Sequence, residues 1–114
     1  MEATAPEPTY GAAAEMTGVW SRTFEHSNFS FCDGWETCDL NRQGCWFEAT
    51  EQFWREFEQR VPADPTVREA SRGGSFLIQF EGRVARNGPF GHLSQYSCQV
   101  EGIDLQAAER DPLR

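Results

Sequence analysis

A mainly β domain with one helix set between the third and fourth of five strands is what this sequence predicts, and three observations predict it. Apolar and polar residues alternate through most of the chain, as they do in strands with one buried face. A single stretch, residues 50–61, changes to the spacing of an amphipathic helix. Glycines interrupt the longest alternating runs, and a glycine inside a strand marks a bend or a close backbone approach. The chain has 114 residues, enough for one compact domain, and 13% of them are aromatic, a share that a disordered chain does not carry.

Residues 1–16 contain Pro6, Pro8, Gly11 and several alanines with little bulk besides Tyr10, and read as a disordered tether ahead of a domain spanning 17–106. Residues 18–25 alternate, with Trp20, Arg22 and Phe24 on one face and Val19, Ser21 and Thr23 on the other, which predicts the first strand. After His26 the period of two resumes through Phe29 and Phe31 up to Cys32, as a bent continuation or as a second strand. Residues 33–44 are polar and rich in turn formers (Gly34, Asp39, Asn41, Gly44), and read as a loop stapled by cysteines. A short third strand follows over 45–49.

In the helical stretch Phe53, Trp54, Phe57 and Val61 share one face, while Glu51/Arg55 and Glu56/Arg60 are opposite charges four residues apart. Thr50 is placed to cap its N-terminus, and Pro62, reinforced by Pro65, ends it at or before Val61. A polar connection over 63–74 leads to the strongest strand, 75–84, in which Phe76, Ile78, Phe80, Gly82 and Val84 face one way and Gly82 marks a bend or a close backbone approach. Residues 86–91 turn the chain. Tyr96, Cys98 and Val100 then alternate inward along the last strand, and Gly102 shifts the register as a bulge so that Ile103 and Leu105 continue it. Residues 107–114 read as a frayed tail. This order is that of a small five-stranded Greek-key barrel of the OB type, its helix plugging one end with Phe53, Trp54 and Phe57. An α+β sheet packed on one helix is the competing architecture; bent, glycine-interrupted strands favour closure.

Ten arginines and no lysine face 18 acidic residues, for a formal net charge of −8. Nucleic acid and anionic membranes are held by clustered cations, so this balance argues against both as partners. No apolar run approaches the roughly 18 residues of a membrane span. The cysteines are Cys32, Cys38, Cys45 and Cys98, and no two of them form the close pair that presents two thiolates to one zinc ion. Two disulfides in an oxidising compartment fit a short acidic chain better, with all three connectivities open; buried reduced thiols in a cytosolic protein are the alternative. The first residues lack the basic start and apolar core of a signal peptide, so an exported form is expected to have lost its signal before Glu2.

The pattern Gly18-x-Trp20, Phe24-Glu25-x-Ser27-x-Phe29-x-x-Cys32, Cys45-Trp46-Phe47, Phe80-Glu81-Gly82-Arg83, and Gly88-x-x-Gly91-His92-Leu93 with Tyr96 covers roughly residues 17–105. In it the chain resembles small bacterial cell-envelope proteins, often lipoproteins, with an OB-like barrel akin to the C-terminal domain of the NlpE copper-homeostasis lipoprotein. The resemblance implies an exported periplasmic or outer-membrane barrel without enzymatic activity, any lipid anchor lying ahead of residue 2. The four cysteines depart from that pattern and no Cys-x-x-Cys is present, which speaks against a copper role.

No Gly-x-Ser-x-Gly, His-Glu-x-x-His or phosphate-binding glycine loop occurs, so the sequence predicts no catalytic residue, and a small hydrolase with a noncontiguous site is the enzymatic alternative. No cofactor is implied. His26 and His92 each lie beside turn residues, away from other ligands in sequence, and Asp33, Glu36 and Asp39 lack the spacing of a calcium loop, so no metal site is assigned. OB barrels bind through the face of strands two and three and the loops around it. Here that face names Phe29, Phe31, Trp35, Arg42 and Trp46 as binding residues, Trp35 first, with a fold-back of Trp35 over the barrel as the opposing reading. The acidic residues Asp33, Glu36, Asp39 and Glu48 repel phosphate from the same face. The expected function is a disulfide-stabilised envelope domain that binds a protein or envelope component; a copper- or zinc-handling protein using Cys and His is the alternative.

Overall fold

Aromatic side chains fill the interior, and the strands are arranged around them. A computed structural model describes residues 7–22, 26–61 and 74–111. It contains β1 (Ala14–Arg22), β2 (Ser27–Phe31), β3 (Cys45–Ala49), α1 (Glu51–Arg60), β4 (Gly74–Ala85) and β5 (Gln99–Arg110). The sheet order is β1-β2-β3-β5-β4, and β4 pairs back onto β1, so the five strands close in a ring. All neighbours are antiparallel except β3 and β5, which run parallel with Trp46 opposite Gln99 and Ala49 opposite Gly102.

Trp20, Phe29, Phe47, Phe53, Phe57, Phe76 and Phe80, with Ile78, Val100 and Leu105, make one buried cluster inside the ring. Trp20 lies at its centre, 4.8 Å from Phe47 and 5.2 Å from Phe57 between ring centroids, in the range of tilted and edge-to-face contact. Its buried indole N–H is satisfied: it donates to Ser27 Oγ at 2.9 Å, and that hydroxyl donates to the Phe47 carbonyl at 2.8 Å. Helix α1 covers one end of the ring with Phe53 and Phe57 buried and Trp54 packed against the same cluster. The Arg22 guanidinium lies over the rings of Trp54 (4.7 Å) and Trp20 (5.1 Å), and burial lowers its pKa.

Thr50 caps α1 as expected, its side chain accepting from the Phe53 N–H at 3.1 Å, and the helix ends at Arg60, with the Val61 N–H closing on the Phe57 carbonyl. Glu51 and Arg55 pair on the exposed side at 3.8 Å. Glu56, expected to pair with Arg60, instead accepts from the Leu105 N–H at 3.0 Å. That backbone donor lies on β5 beyond the stretch paired with β3, and a buried N–H without a partner costs more than a surface ion pair returns.

Several boundaries differ from those the sequence suggests. The stretch expected as a tether is held down over its described part: Glu7 and Thr9 bond to the Asn87 side chain, Tyr10 bridges Ala85, the Gly11 N–H donates to Val84, and β1 begins at Ala14. These ties are to residues 84–87, far along the chain, and composition alone does not reveal them. The expected frayed tail likewise continues β5 to Arg110, paired with Phe76. Tyr96 is not on the last strand; it bridges Phe90 in the loop before it, in a second buried cluster with Ala85 and Phe90 against which Tyr10 and Trp46 pack. Gly102 stays in register opposite Gly82, and β5 is instead shifted twice against β4, at Ile103 and again at Gln106, so the expected bulge lies one position on and is followed by a second. A Cβ at Gly102 would stand 2.6 Å from the Phe47 ring, which is why this inward position carries no side chain. Phe24 of the expected first strand and residues 63–73 of the expected connection lie outside the described residues.

Candidate functional site

The loop between β2 and β3 carries most of the residues that the sequence assigns to binding. It is fixed covalently at both ends: Cys32 pairs with Cys38, and Cys45 pairs with Cys98 at the entrance to β5. Within it Thr37 Oγ1 accepts from the Asp33 and Gly34 N–H groups, both at 3.2 Å, and Asp39 accepts from the Asn41 N–H. At its far end the Asn28 side chain accepts from the Gly44 N–H at 2.8 Å, tying the loop back to β2. A loop with so many internal ties presents its side chains in one arrangement, which lowers the ordering cost of binding.

Trp35 opens a single 3-10 turn, Trp35–Thr37, and is half-buried; its indole N–H reaches across to Glu109 Oε1 on β5 at 2.8 Å. This is partly the expected fold-back: the indole N–H is held across the surface by β5, while the side chain keeps part of its area in water. Phe31 stands at the end of β2 with its ring against Phe29 at 5.0 Å and 49% of its surface exposed, and Leu40 in the loop is 45% exposed. Arg42 is exposed.

Two of the expected binding residues are placed elsewhere. Phe29 is fully buried, packed on Phe47 and Phe80, and is a core residue. It shares a face with Phe31, and period-two alternation does not tell which of two like-facing residues lies deep in a ring and which at its rim. Trp46 is half-buried on the opposite side of β3, against Tyr96 at 5.4 Å, with its indole N–H donating to Glu48 at 2.7 Å. The described structure therefore brings Phe31, Trp35, Leu40 and Arg42 to the disulfide-bounded loop and its flanks, and sets Trp46 apart.

A second surface, absent from the sequence reading, surrounds Trp46. The Gln99 side chain donates to Tyr10 Oη at 2.6 Å, the Arg83 guanidinium lies 4.4 Å from the centre of the Tyr10 ring, and Arg83 bonds Glu101 at 2.7 Å. Burial, opposed by the Gln99 bond, raises the Tyr10 pKa, with Glu101 and Glu48 adding to the rise; burial alone raises that of Tyr96. Over this surface folds the loop between β4 and β5, which carries His92. His92 meets His26, the residue before β2, at 6.1 Å between ring centroids. The two histidines lie far apart in the chain, and it is the ring topology that brings their loops together.

With all four cysteines joined in pairs, none is a free thiolate for metal. No group of three or more His, Cys, Asp or Glu side chains is gathered for a metal ion among the described residues, and no described helix is long and apolar enough to cross a membrane. No family model, curated protein or solved structure matches the chain.

Proposed function

We propose that this chain is a non-enzymatic, exported binding domain of the OB-like Greek-key type, which engages a protein or envelope component in the periplasm or at the outer membrane of a bacterium. The observation that carries the reading is the loop between β2 and β3: two disulfides and a set of internal hydrogen bonds hold it, while Phe31 at its start and Leu40 within it remain substantially in water. Rigid apolar and aromatic groups at a surface bind with little ordering cost, and an aromatic such as Trp35 is a frequent anchor. The order β1-β2-β3-β5-β4 with α1 between β3 and β4 supports the OB-like assignment, whose members bind through the region of the second and third strands. Disulfides persist in oxidising compartments, which supports export. Asp33, Glu36 and Asp39, all exposed on the loop, favour a partner that is not a polyanion.

The test is site-specific photocrosslinking in cells that export the protein, with the photoreactive residue at Leu40 or Arg42 and, as a control, at Glu58 on the exposed side of α1. A discrete adduct from the loop positions that is absent from Glu58 and lost in Trp35→Ala supports the reading. No adduct from the loop, or one that Trp35→Ala leaves unchanged, overturns it. Alkylation of the denatured protein before reduction separately reports the compartment: four blocked thiols are expected, and four free ones refute export.

A further inference from the structure

We propose that His26 and His92 form a two-imidazole site for one divalent transition-metal ion, with Zn(II) as its representative. These are the only histidines of the chain, they belong to different loops, and the fold brings their rings to 6.1 Å between centroids at an interplanar angle of 73°. With metal–nitrogen bonds of about 2.0–2.1 Å, two imidazoles on one tetrahedral ion have centroids roughly 5–5.5 Å apart, so the observed spacing is close to the one the ion requires, and rotation of the two side chains would turn a nitrogen of each toward it. Imidazole nitrogen suits zinc, nickel and copper and is a poor ligand for magnesium or calcium. Two protein ligands leave the other positions of the ion to water.

The backbone around His92 is unusual on both sides of the residue. Gly91 has φ +76° and lies so close to Trp46 that a Cβ there would stand 2.5 Å from the indole. Leu93 (φ 59°) and Ser94 (φ 51°) are two consecutive non-glycine residues in the left-handed region, and Leu93 is 71% exposed, so its conformation is not explained by burial of its side chain. Such conformations are uncommon for residues other than glycine and collect where a loop must aim a functional group. Here they set the direction of the loop on either side of His92. On the other loop, Ser27 next to His26 is anchored between the Trp20 indole and the Phe47 carbonyl. Both histidines are thus mounted next to fixed points.

The probe is ZnCl₂ added to the oxidised full chain, read by calorimetry and by NMR of the histidine side chains, with MgCl₂ as control. One Zn(II) per chain, no response to Mg(II), shifts confined to the two imidazoles, and at least about a tenfold weakening in both His26→Gln and His92→Gln are expected, a loss no smaller than that from disturbing a ligand's outer partners. Circular dichroism of the two variants verifies their fold, and their melting temperatures are expected not to rise with Zn(II) as that of the unsubstituted chain does. No saturable binding, or binding that survives either substitution undiminished, overturns the site.

Discussion

At the scale of single residues, the structure separates two phenylalanines that look equivalent in sequence. Phe29 is fully buried and Phe31 is about half exposed, although both face the same side of β2. Phe29→Ala is therefore expected to cost about 3–5 kcal/mol of stability, whereas Phe31→Ser is expected to cost under about 1 kcal/mol and to act on partner binding instead. Denaturant unfolding of the two variants distinguishes these outcomes, and similar losses in both would contradict the placement of Phe29. Tyr10 and Tyr96 carry a second residue-scale consequence. Both have pKa values raised above the usual 10.0 by burial, so the folded state holds the phenol protons more tightly than the unfolded state does. Their contribution to stability is complete below pH 10 and is lost as the pH rises past the unfolded value and through the folded ones. Melting temperatures measured between pH 9 and 11.5 should fall, and Tyr10→Phe together with Tyr96→Phe should flatten that fall.

At the scale of elements, the helix was the most legible part of the chain. Its apolar spacing, threonine cap and terminating prolines all act within a few residues, and α1 has the expected face and N-cap. The long strand β4 was legible for the same reason, five of its inward positions following a period of two. What sequence could not show is where an element finds its partner. Glu56 reads as half of a surface ion pair, yet it serves the backbone of β5, and residues 7–13 read as a tether, yet they lie along β4 and its following turn. The candidate site was half legible: cysteines and turn formers marked the loop, but the depth of Phe29 and the approach of His92 to His26 depend on closure of the ring. Thr50→Ala should cost about 1 kcal/mol through loss of the cap. Glu56→Ala should cost about 1–3 kcal/mol by leaving the Leu105 N–H without its acceptor, more than Arg55→Ala, whose exposed ion pair is worth little. Thermal or denaturant melts rank the three, and an Arg55→Ala cost above that of Glu56→Ala would count against the assigned role of Glu56.

At the scale of the whole molecule, two disulfides of very different span act on one fold. Cys32 and Cys38 are separated by 6 positions and Cys45 and Cys98 by 53. On chain entropy alone the short loop adds about 2 kcal/mol and the long one about 4 kcal/mol. The double variant Cys45→Ser/Cys98→Ser should therefore lose roughly twice the stability of Cys32→Ser/Cys38→Ser, as equilibrium unfolding will show; the reverse order would mean that strain or residual structure outweighs loop closure. The long bridge also spans the start of the one parallel strand pair, β3 with β5, which no short turn can form. In a reduced, unfolded chain Cys38 lies 7 positions from Cys45, nearly as close as it lies to Cys32, and chain proximity hardly distinguishes the two partners. Discrimination must come from β3 itself, which turns Cys45 inward until 3% of it is exposed, beside Cys98 and away from the loop. During oxidative maturation, then, correct wiring follows assembly of the sheet. A catalyst of disulfide exchange, which dissolves premature 38–45 links, should govern the yield of correctly paired molecules more than the supply of oxidant does.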